Sequence, residues 1–277
     1  MKKLFLTLLF ISSLFGQERV VTLSPSVNEI VYALGMGKSV VANTKFCDFP
    51  LESQKVKKVG GYANISLEKI LAVNPTITIA QNYDEKLLRN LENLNIKTMV
   101  YKTDTINDIK HTIESLGLYF QKEPIAKNIN SSIDFSLLTL NNIVKDKKVL
   151  IVISPSETLS SQIYVSGNYL YFEDIIKASG NINAFQSKSH SQPVVNVEKV
   201  INMNPDIIVL LGAFYVNKDE ELKKVIKAWE KLPINASKNK NIYAINKEYA
   251  GIPSNRVVYF MRDFKKILEN VRDKELQ

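Results

Sequence analysis

NISLEKILAVNPTITI, residues 64–79, recurs 130 residues later as VVNVEKVINMNPDIIV, residues 194–209. Glu68 and Glu198, Lys69 and Lys199, Asn74 and Asn204, Pro75 and Pro205, and Ile77 and Ile207 coincide, and most other positions exchange one apolar residue for another. Each copy has the same grammar. Ser66 or Asn196 caps a helix by accepting hydrogen bonds from its first free N–H groups. Two short turns with an apolar stripe follow. An Asn-Pro then stops the helix, because the residue before a proline is pushed out of the α region. The strand after it has almost no polar residue, as expected of a central parallel strand covered on both faces. Two copies so far apart are too few for a solenoid, which stacks several units at a period of about 20–50 residues. They predict an α/β protein made of two α/β sandwich lobes with central, mostly parallel sheets. Helices in such sandwiches begin at the carboxyl edge of the sheet, where ligands bind. Glu68 and Glu198, each in a first helical turn, are therefore expected on the mouth side of their lobes. A first-turn carboxylate also complements the helix dipole, for about 0.3–1 kcal/mol. The matched pair, one per lobe, is what points to function.

Outward from the first copy, RVVTLS (19–24) reads as a buried strand, and Pro25-Ser26 starts a helix through Ala33 with Gly35 as its C-cap. Strands are expected at 40–44 and 97–102, with helices from Asp84 to about Leu94 and over 106–119. From Glu123 to about Val144, Ile125, Ile129, Ile133, Leu137 and Leu140 recur at spacings of three and four, and Pro124 suits a first turn. A helix of about 20 residues is roughly 30 Å long, enough to cross from one lobe to another, whereas inter-domain linkers are usually short and rich in Gly, Pro and polar residues. In the second lobe strands are expected at 148–154, 163–166 and 241–246, and helices at 168–178, at 219–231 around Trp229, and from Ser254 to the end. The organisation predicted is a leader at 1–16, a first lobe at 17–121, an inter-lobe helix at 122–146 and a second lobe at 147–277.

The 277 residues carry 36 Lys and Arg against 28 Asp and Glu, a net charge of +8. The charge is spread as KVKK, KDKK and KNK patches, so the basic stripe interleaved with aromatics that nucleic-acid binding favours is absent. What remains is a basic surface with a modest bias towards anionic ligands. Met1–Gly16 (MKKLFLTLLFISSLFG) has the layout of a secretory signal, with a cut near Gly16–Gln17. Its apolar core is too short to span a bilayer of about 30 Å, and no later segment reaches 18 uninterrupted apolar residues. An exported, soluble protein is expected. No cysteine stands at the cut, which argues against lipid anchoring. Cys47, the only cysteine, excludes an internal disulfide and reads as a small, half-buried residue.

Catalysis finds little support. There is no Gly-x-Ser-x-Gly elbow and no P-loop, and Gly35-Met36-Gly37 lacks a third glycine and follows a helix. His111 belongs to a helix, as a surface or packing residue; His190 lies in a mouth loop and is a candidate ligand contact. A bare Zn²⁺ site needs three or four His, Cys or carboxylate ligands, and none assembles. Aromatics, by contrast, recur in the mouth-edge loops: Phe46, Phe49, Tyr62, Tyr83, Phe214, Tyr215 and Tyr249. Each buries about 150–250 Å², roughly 4–6 kcal/mol as an upper bound before ordering costs. Local packing would equally explain any one of them; several together suit a large, flat, partly apolar ligand. Tyr62 is best placed, since the Gly60-Gly61 pair lets the chain turn into the cleft. Lys45, Lys188 and Arg256 share these loops and could meet carboxylates or phosphate.

RVVTLSPSVNEIVYALG, FCDFP followed by VGGYANISLEKILAVNPTITIA, and NVEKVINMNPDIIVL together resemble the periplasmic substrate-binding proteins of ABC importers for cobalamin, ferric siderophores and haem, the helical-backbone metal receptors. The resemblance covers about residues 19–270. It implies two α/β lobes joined by one long helix, an iron or cobalt chelate held between them, and no intrinsic cofactor, with a protein ligand to the chelated metal from Tyr62 or His190 left open. It also implies one glutamate per lobe that docks an arginine pocket of the inner-membrane permease dimer, roles that fall on Glu68 and Glu198. Tyr62 matches a position where cobalamin binders place an aromatic, and haem binders use a nearby tyrosine as iron ligand. The matching loops of the second lobe diverge, which leaves the choice of chelate open.

The expectation is a monomeric, periplasmic, non-enzymatic protein that captures a chelate and delivers it to the permease. Its rivals are a secreted α/β enzyme with a two-lobed cleft, a receptor for a bare divalent cation, and a sensory or adhesion module with no transporter.

Overall fold

The computed structural model describes residues 18–61, 64–81, 85–159, 162–187, 189 and 192–277, with the backbone alone for Phe214. The leader expected at 1–16 lies outside them. Among the described residues, no helix is long and apolar enough to cross a membrane.

The first sheet is built from β1 (Val20–Thr22), β2 (Val40–Asn43), β3 (Lys57–Lys58), β4 (Ile77–Gln81) and β5 (Thr98–Tyr101). Its order is β3-β2-β1-β4-β5 and every pairing is parallel. The connecting helices are α1 (Pro25–Ala33), α2 (Leu67–Leu71), α3 (Glu85–Asn93) and α4 (Ile106–Tyr119), followed by α5 (Glu123–Leu138). The second half contains β6 (Lys148–Ile153), β7 (Ile163–Val165), α6 (Tyr171–Ala178), β8 (Ile182–Asn183), β9 (Val194–Val195), α7 (Val197–Met203), β10 (Ile207–Leu211), α8 (Asp219–Glu230), α9 (Asn235–Lys238), β11 (Ile242–Ile245) and α10 (Val257–Glu275). Its sheet runs β11-β10-β6-β7-β9, with β8 beside the start of β6. The core pairs are parallel, and only β7 runs against its two neighbours.

The apolar strands follow from having both faces covered. In β6, Val149 and Ile151 point to one cluster and Leu150 and Val152 to another; in β10, Ile207 and Val209 alternate with Ile208 and Leu210 in the same way. In β1, Val20 faces the shared interior while Val21 joins a separate outer cluster with Leu23, Ala42 and Ile70. Each sheet thus has an outer core of its own and shares an inner one. That inner core is filled by α1, α4, α5, α6 and α10, from Val27 and Ile30 to Phe172, Phe260 and Phe264.

The repeat is confirmed in register: α2 and α7 begin 130 residues apart, as do β4 and β10. Ser66 Oγ accepts from the Lys69 amide at 3.3 Å and Asn196 Oδ1 from the Lys199 amide at 2.9 Å. Asn74 and Asn204 both sit at φ 45°, so the stop before proline is a left-handed turn, which asparagine tolerates better than most residues.

The helix after Lys122 is shorter than its apolar spacing predicts. It ends at Leu138 after 16 residues, about 24 Å. Beyond it the chain turns through Asn142 and Asp146 at positive φ while Leu140 and Val144 stay buried. The helix also folds back on α4: a Cβ on Gly117 would lie 2.5 Å from that of Ala126. It therefore belongs to the shared helical layer, packed on α4 and α10. Cys47, expected half-buried, is fully buried.

Candidate functional site

Sheet topology places both repeat helices. β3 is parallel to β1 and leads into α2, and β9, reversed twice relative to β6, leads into α7. Both helices start at the carboxyl edge of their sheets, so Glu68 and Glu198 stand exposed there in first turns.

The first lobe contributes the loop after β2. A buried polar network holds it. Thr22 Oγ1 donates to Asn28 Oδ1 at 2.8 Å, and Asn28 Nδ2 donates to Ser53 Oγ at 2.9 Å and to the Phe49 carbonyl at 3.1 Å. Asn43 Nδ2 donates to Ser53 Oγ at 2.8 Å, while Lys58 Nζ donates to Asn43 Oδ1 at 2.8 Å and to the Ser53 carbonyl at 3.1 Å. Buried polar groups are tolerated when paired in this way. The network leaves Phe46 and Phe49 outward, 48% and 39% exposed. Phe46 lies over Gly61, where an added Cβ would come within 3.2 Å of the ring. Lys45 is exposed beside it. Cys47 contacts Thr44 Oγ1 at 3.2 Å, and burial pushes its thiol up from its ordinary value.

The second lobe answers with the end of β11, the turn at Glu248–Gly251 and the start of α10. A cleft of about 580 Å³ opens between Phe49 and the side chains of Asp219, Asn246, Lys247, Tyr249, Arg256, Tyr259 and Arg262. Tyr249 and Tyr259 meet edge-on with ring centroids 5.4 Å apart. The Tyr249 hydroxyl donates to the Asp263 carboxylate and accepts from Arg262 Nη2 at 3.4 Å. Burial first, and that bond to Asp263 second, push the Tyr249 phenol up to about 12.

Arg256 is buried against the first lobe. Its Nε donates to Glu29 Oε2 at 3.0 Å and its Nη2 to Glu29 Oε1, while the Ser254 hydroxyl also bonds Glu29 Oε2. The guanidinium carbon lies 3.8 Å from the centroid of the Phe49 ring and 5.9 Å from that of Tyr249. Arg256 thus lines the cleft, as the sequence suggested, but two of its nitrogens are committed to a partner that the sequence did not disclose. Burial raises the Glu29 carboxyl above its ordinary value and Arg256 pulls it partly back.

Of the other expected contacts, Tyr215 is half-buried and donates to the Pro155 carbonyl at 2.9 Å, tying two mouth loops together. The backbone of Phe214 belongs to the same short turn. Tyr62, Tyr83, Lys188 and His190 lie outside the described residues, and His111 is exposed on α4. Among the described residues no three His, Cys, Asp or Glu side chains converge on a metal position. A larger groove of about 910 Å³ runs past Asn168, Glu173, Asn181 and Gln186. Its amides are engaged in the lobe itself, Asn168 with Gln186 and Ser187, and Asn181 with Val144 and Lys147. The 580 Å³ cleft is the better candidate because both lobes wall it. Lys247, Tyr259 and Arg262 were missed by sequence reasoning. The one available signal for Glu29 was a carboxylate inside the apolar helix PSVNEIVYA.

Similarity agrees with the geometry. A vitamin B12-binding protein of Vibrio campbellii is 26% identical over 260 residues, covering 93% of this chain and 91% of the relative. The fold matches a crystal structure of a periplasmic vitamin B12-binding protein of Vibrio cholerae with TM-score 0.78 at 22% identity, over 92% of this chain and 98% of that one. It also matches a periplasmic haem-binding protein of Vibrio cholerae with TM-score 0.74 at 21% identity, over 91% and 99%. Residues 20–249 match the family described as periplasmic binding protein. With two lobes, a cleft between their carboxyl edges and this match over most of its length, the chain belongs to the periplasmic binding protein family.

Proposed function

We propose that this protein captures an iron or cobalt chelate in the periplasm, with a corrinoid as first choice, and hands it to an inner-membrane ABC permease. The carrying observation is the cleft in which Phe49 of one lobe faces Tyr249 and Tyr259 of the other, with Lys247 and Arg262 at its wall. Aromatic faces suit a flat macrocycle, and the cations suit its carboxylate or phosphate substituents. Relatives named for vitamin B12 binding favour the corrinoid. Fold neighbours named for haem binding keep haem as the second reading.

No bond is made or broken in this reading. Capture buries apolar surface and pairs the ligand's charges; delivery depends on docking. Glu68 and Glu198, exposed at matching first turns, are the docking points, each meeting a cationic pocket of one permease subunit. The shared helical core favours small lobe rotations over wide hinge opening. Export would proceed through the leader at 1–16, and the free protein would act as a monomer.

Native mass spectrometry with absorption spectra tests this directly, using protein taken from its own periplasm. A corrinoid spectrum is the expected result; a haem Soret band or a siderophore charge-transfer band would reassign the chelate. Protein that stays unliganded and binds neither cyanocobalamin, haemin nor a ferric siderophore would overturn the reading.

A further inference from the structure

Glu29 is an expensive residue where it stands. It occupies the second turn of α1, among Val27, Ile30 and Val31, all fully buried, and only 2% of its side-chain surface is exposed. A carboxylate taken from water at such a site must recover its hydration from paired partners. Those that Glu29 finds are the guanidinium of Arg256 and the hydroxyl of Ser254, 227 and 225 residues away on the other lobe. Burial holds its pKa above the ordinary carboxyl value despite the guanidinium, and a buried ion pair is weak evidence for stability.

The neighbour of Glu29 closes a loop of contacts. Asn28 donates to the Phe49 carbonyl at 3.1 Å, Glu29 holds Arg256, and the guanidinium carbon lies over the Phe49 ring, 3.8 Å from its centroid. Two adjacent residues of α1 thus hold both walls of the cleft. One holds the backbone of its first-lobe aromatic, and the other holds the cation on which that ring rests. Phe49, Tyr249 and Arg256 all line the opening.

We infer that Glu29 is a positioning residue for chelate binding: acting through Arg256, it sets the register of the two carboxyl edges and so the width of the cleft. The inference rests on reading that cleft as the chelate site. Glu29 itself touches no ligand. Its carboxylate is engaged by the opposite lobe, and its effect reaches the ligand through the Phe49–Arg256 contact.

The test compares wild type with Glu29→Gln, Glu29→Asp and the milder Ser254→Ala, using cyanocobalamin and haemin as probes and amide hydrogen exchange of the unliganded protein. Glu29→Gln should weaken binding of the accepted probe by about tenfold or more, as expected when one member of a buried charge pair is neutralised. Exchange should accelerate in both 44–50 and 247–256 while β1 and β6 keep their protection. Glu29→Asp, which keeps the charge, should recover most of the affinity, and Ser254→Ala should lose about threefold, the scale of one hydrogen bond. Glu29→Gln binding within twofold of wild type, exchange rising alike throughout both sheets, or Glu29→Asp faring no better than Glu29→Gln would overturn the inference. If Glu29→Gln does not fold, an unaltered Ser254→Ala variant would do the same. Should wild type bind neither probe and no ferric siderophore, the chelate reading falls, and the exchange of 44–50 with 247–256 still decides whether Glu29 clamps the lobes.

Discussion

The backbone N–H of Ile106, the first residue of α4, donates to the carboxylate of Asp174 on α6 at 2.8 Å, across the junction of the two lobes. The start of α4 is otherwise closed locally, Thr105 and Asp108 satisfying each other's amides in a capping box at 3.0 Å. Asp174 takes one of the amides that this box leaves over. A carboxylate on a helix N-terminus also meets the positive end of the dipole. Asp174→Ala should therefore cost about 1–2 kcal/mol, the range of a lost cap. Urea denaturation checks it, with the midpoint falling and the slope unchanged.

Close approach of α4 and α5 makes a second prediction. A Cβ on Gly117 would lie 2.5 Å from Ala126 Cβ, so Gly117→Val should force the helices apart. Overpacking of this kind costs about 1–3 kcal/mol. Ala126→Gly in the same chain should return part of the loss, and thermal melts of the four combinations measure the coupling.

The docking reading separates transport from capture. Glu68→Ala combined with Glu198→Ala should abolish uptake in cells carrying the permease, at about 2–5 kcal/mol per lost charge pair. Affinity for the chelate should stay within a factor of about two, since neither residue lines the 580 Å³ cleft. Equilibrium binding of the purified double variant, set beside uptake of labelled chelate, decides it; equal loss in both would count against docking.

Two tyrosines should titrate late. Tyr119 donates to Glu18 Oε1 at 3.0 Å and Tyr249 to Asp263; burial and then these carboxylates push each phenol up to about 12. Because the folded value lies above the unfolded one near 10, the stabilisation they give is complete below about pH 10 and is lost as pH rises towards 12. Ultraviolet titration of the 12 tyrosines should show a late phase that shrinks in Tyr119→Phe and again in Tyr249→Phe.

Much of the fold could be read from local pattern. α4 was expected at the residues where it lies, and α1 ends before Gly35 at φ 80°. The repeat's cap, asparagine stop and apolar strand recur in both halves because each is decided within a few residues. α5 was overrun because Leu140 and Val144 continue its apolar spacing without Gly or Pro to mark the end. The turn is made by Asn142 at φ 63°, a residue whose preference for that region is weak enough to leave no clear signal. The site was less legible. Phe49, Tyr249 and Arg256 were expected from their place in mouth loops and line the cleft, whereas Phe46 is not among its lining residues. The partnership of Glu29 with Arg256 joins residues 227 apart, and no local pattern reveals which surfaces will meet. Phe46 rests on Gly61 and Tyr215 anchors a loop, roles that spacing alone does not assign.

The helical layer common to both sheets also governs how this chain can be cut. Severed near Asp146, the amino-terminal piece would expose the flanks of α1, α4 and α5 that now share a core with Phe172, Phe260 and Phe264, and the carboxy-terminal piece would bare those same rings. Neither fragment should survive expression alone without clumping. Mixed together during refolding, the two pieces are instead expected to find each other and rebuild the parent molecule by complementation.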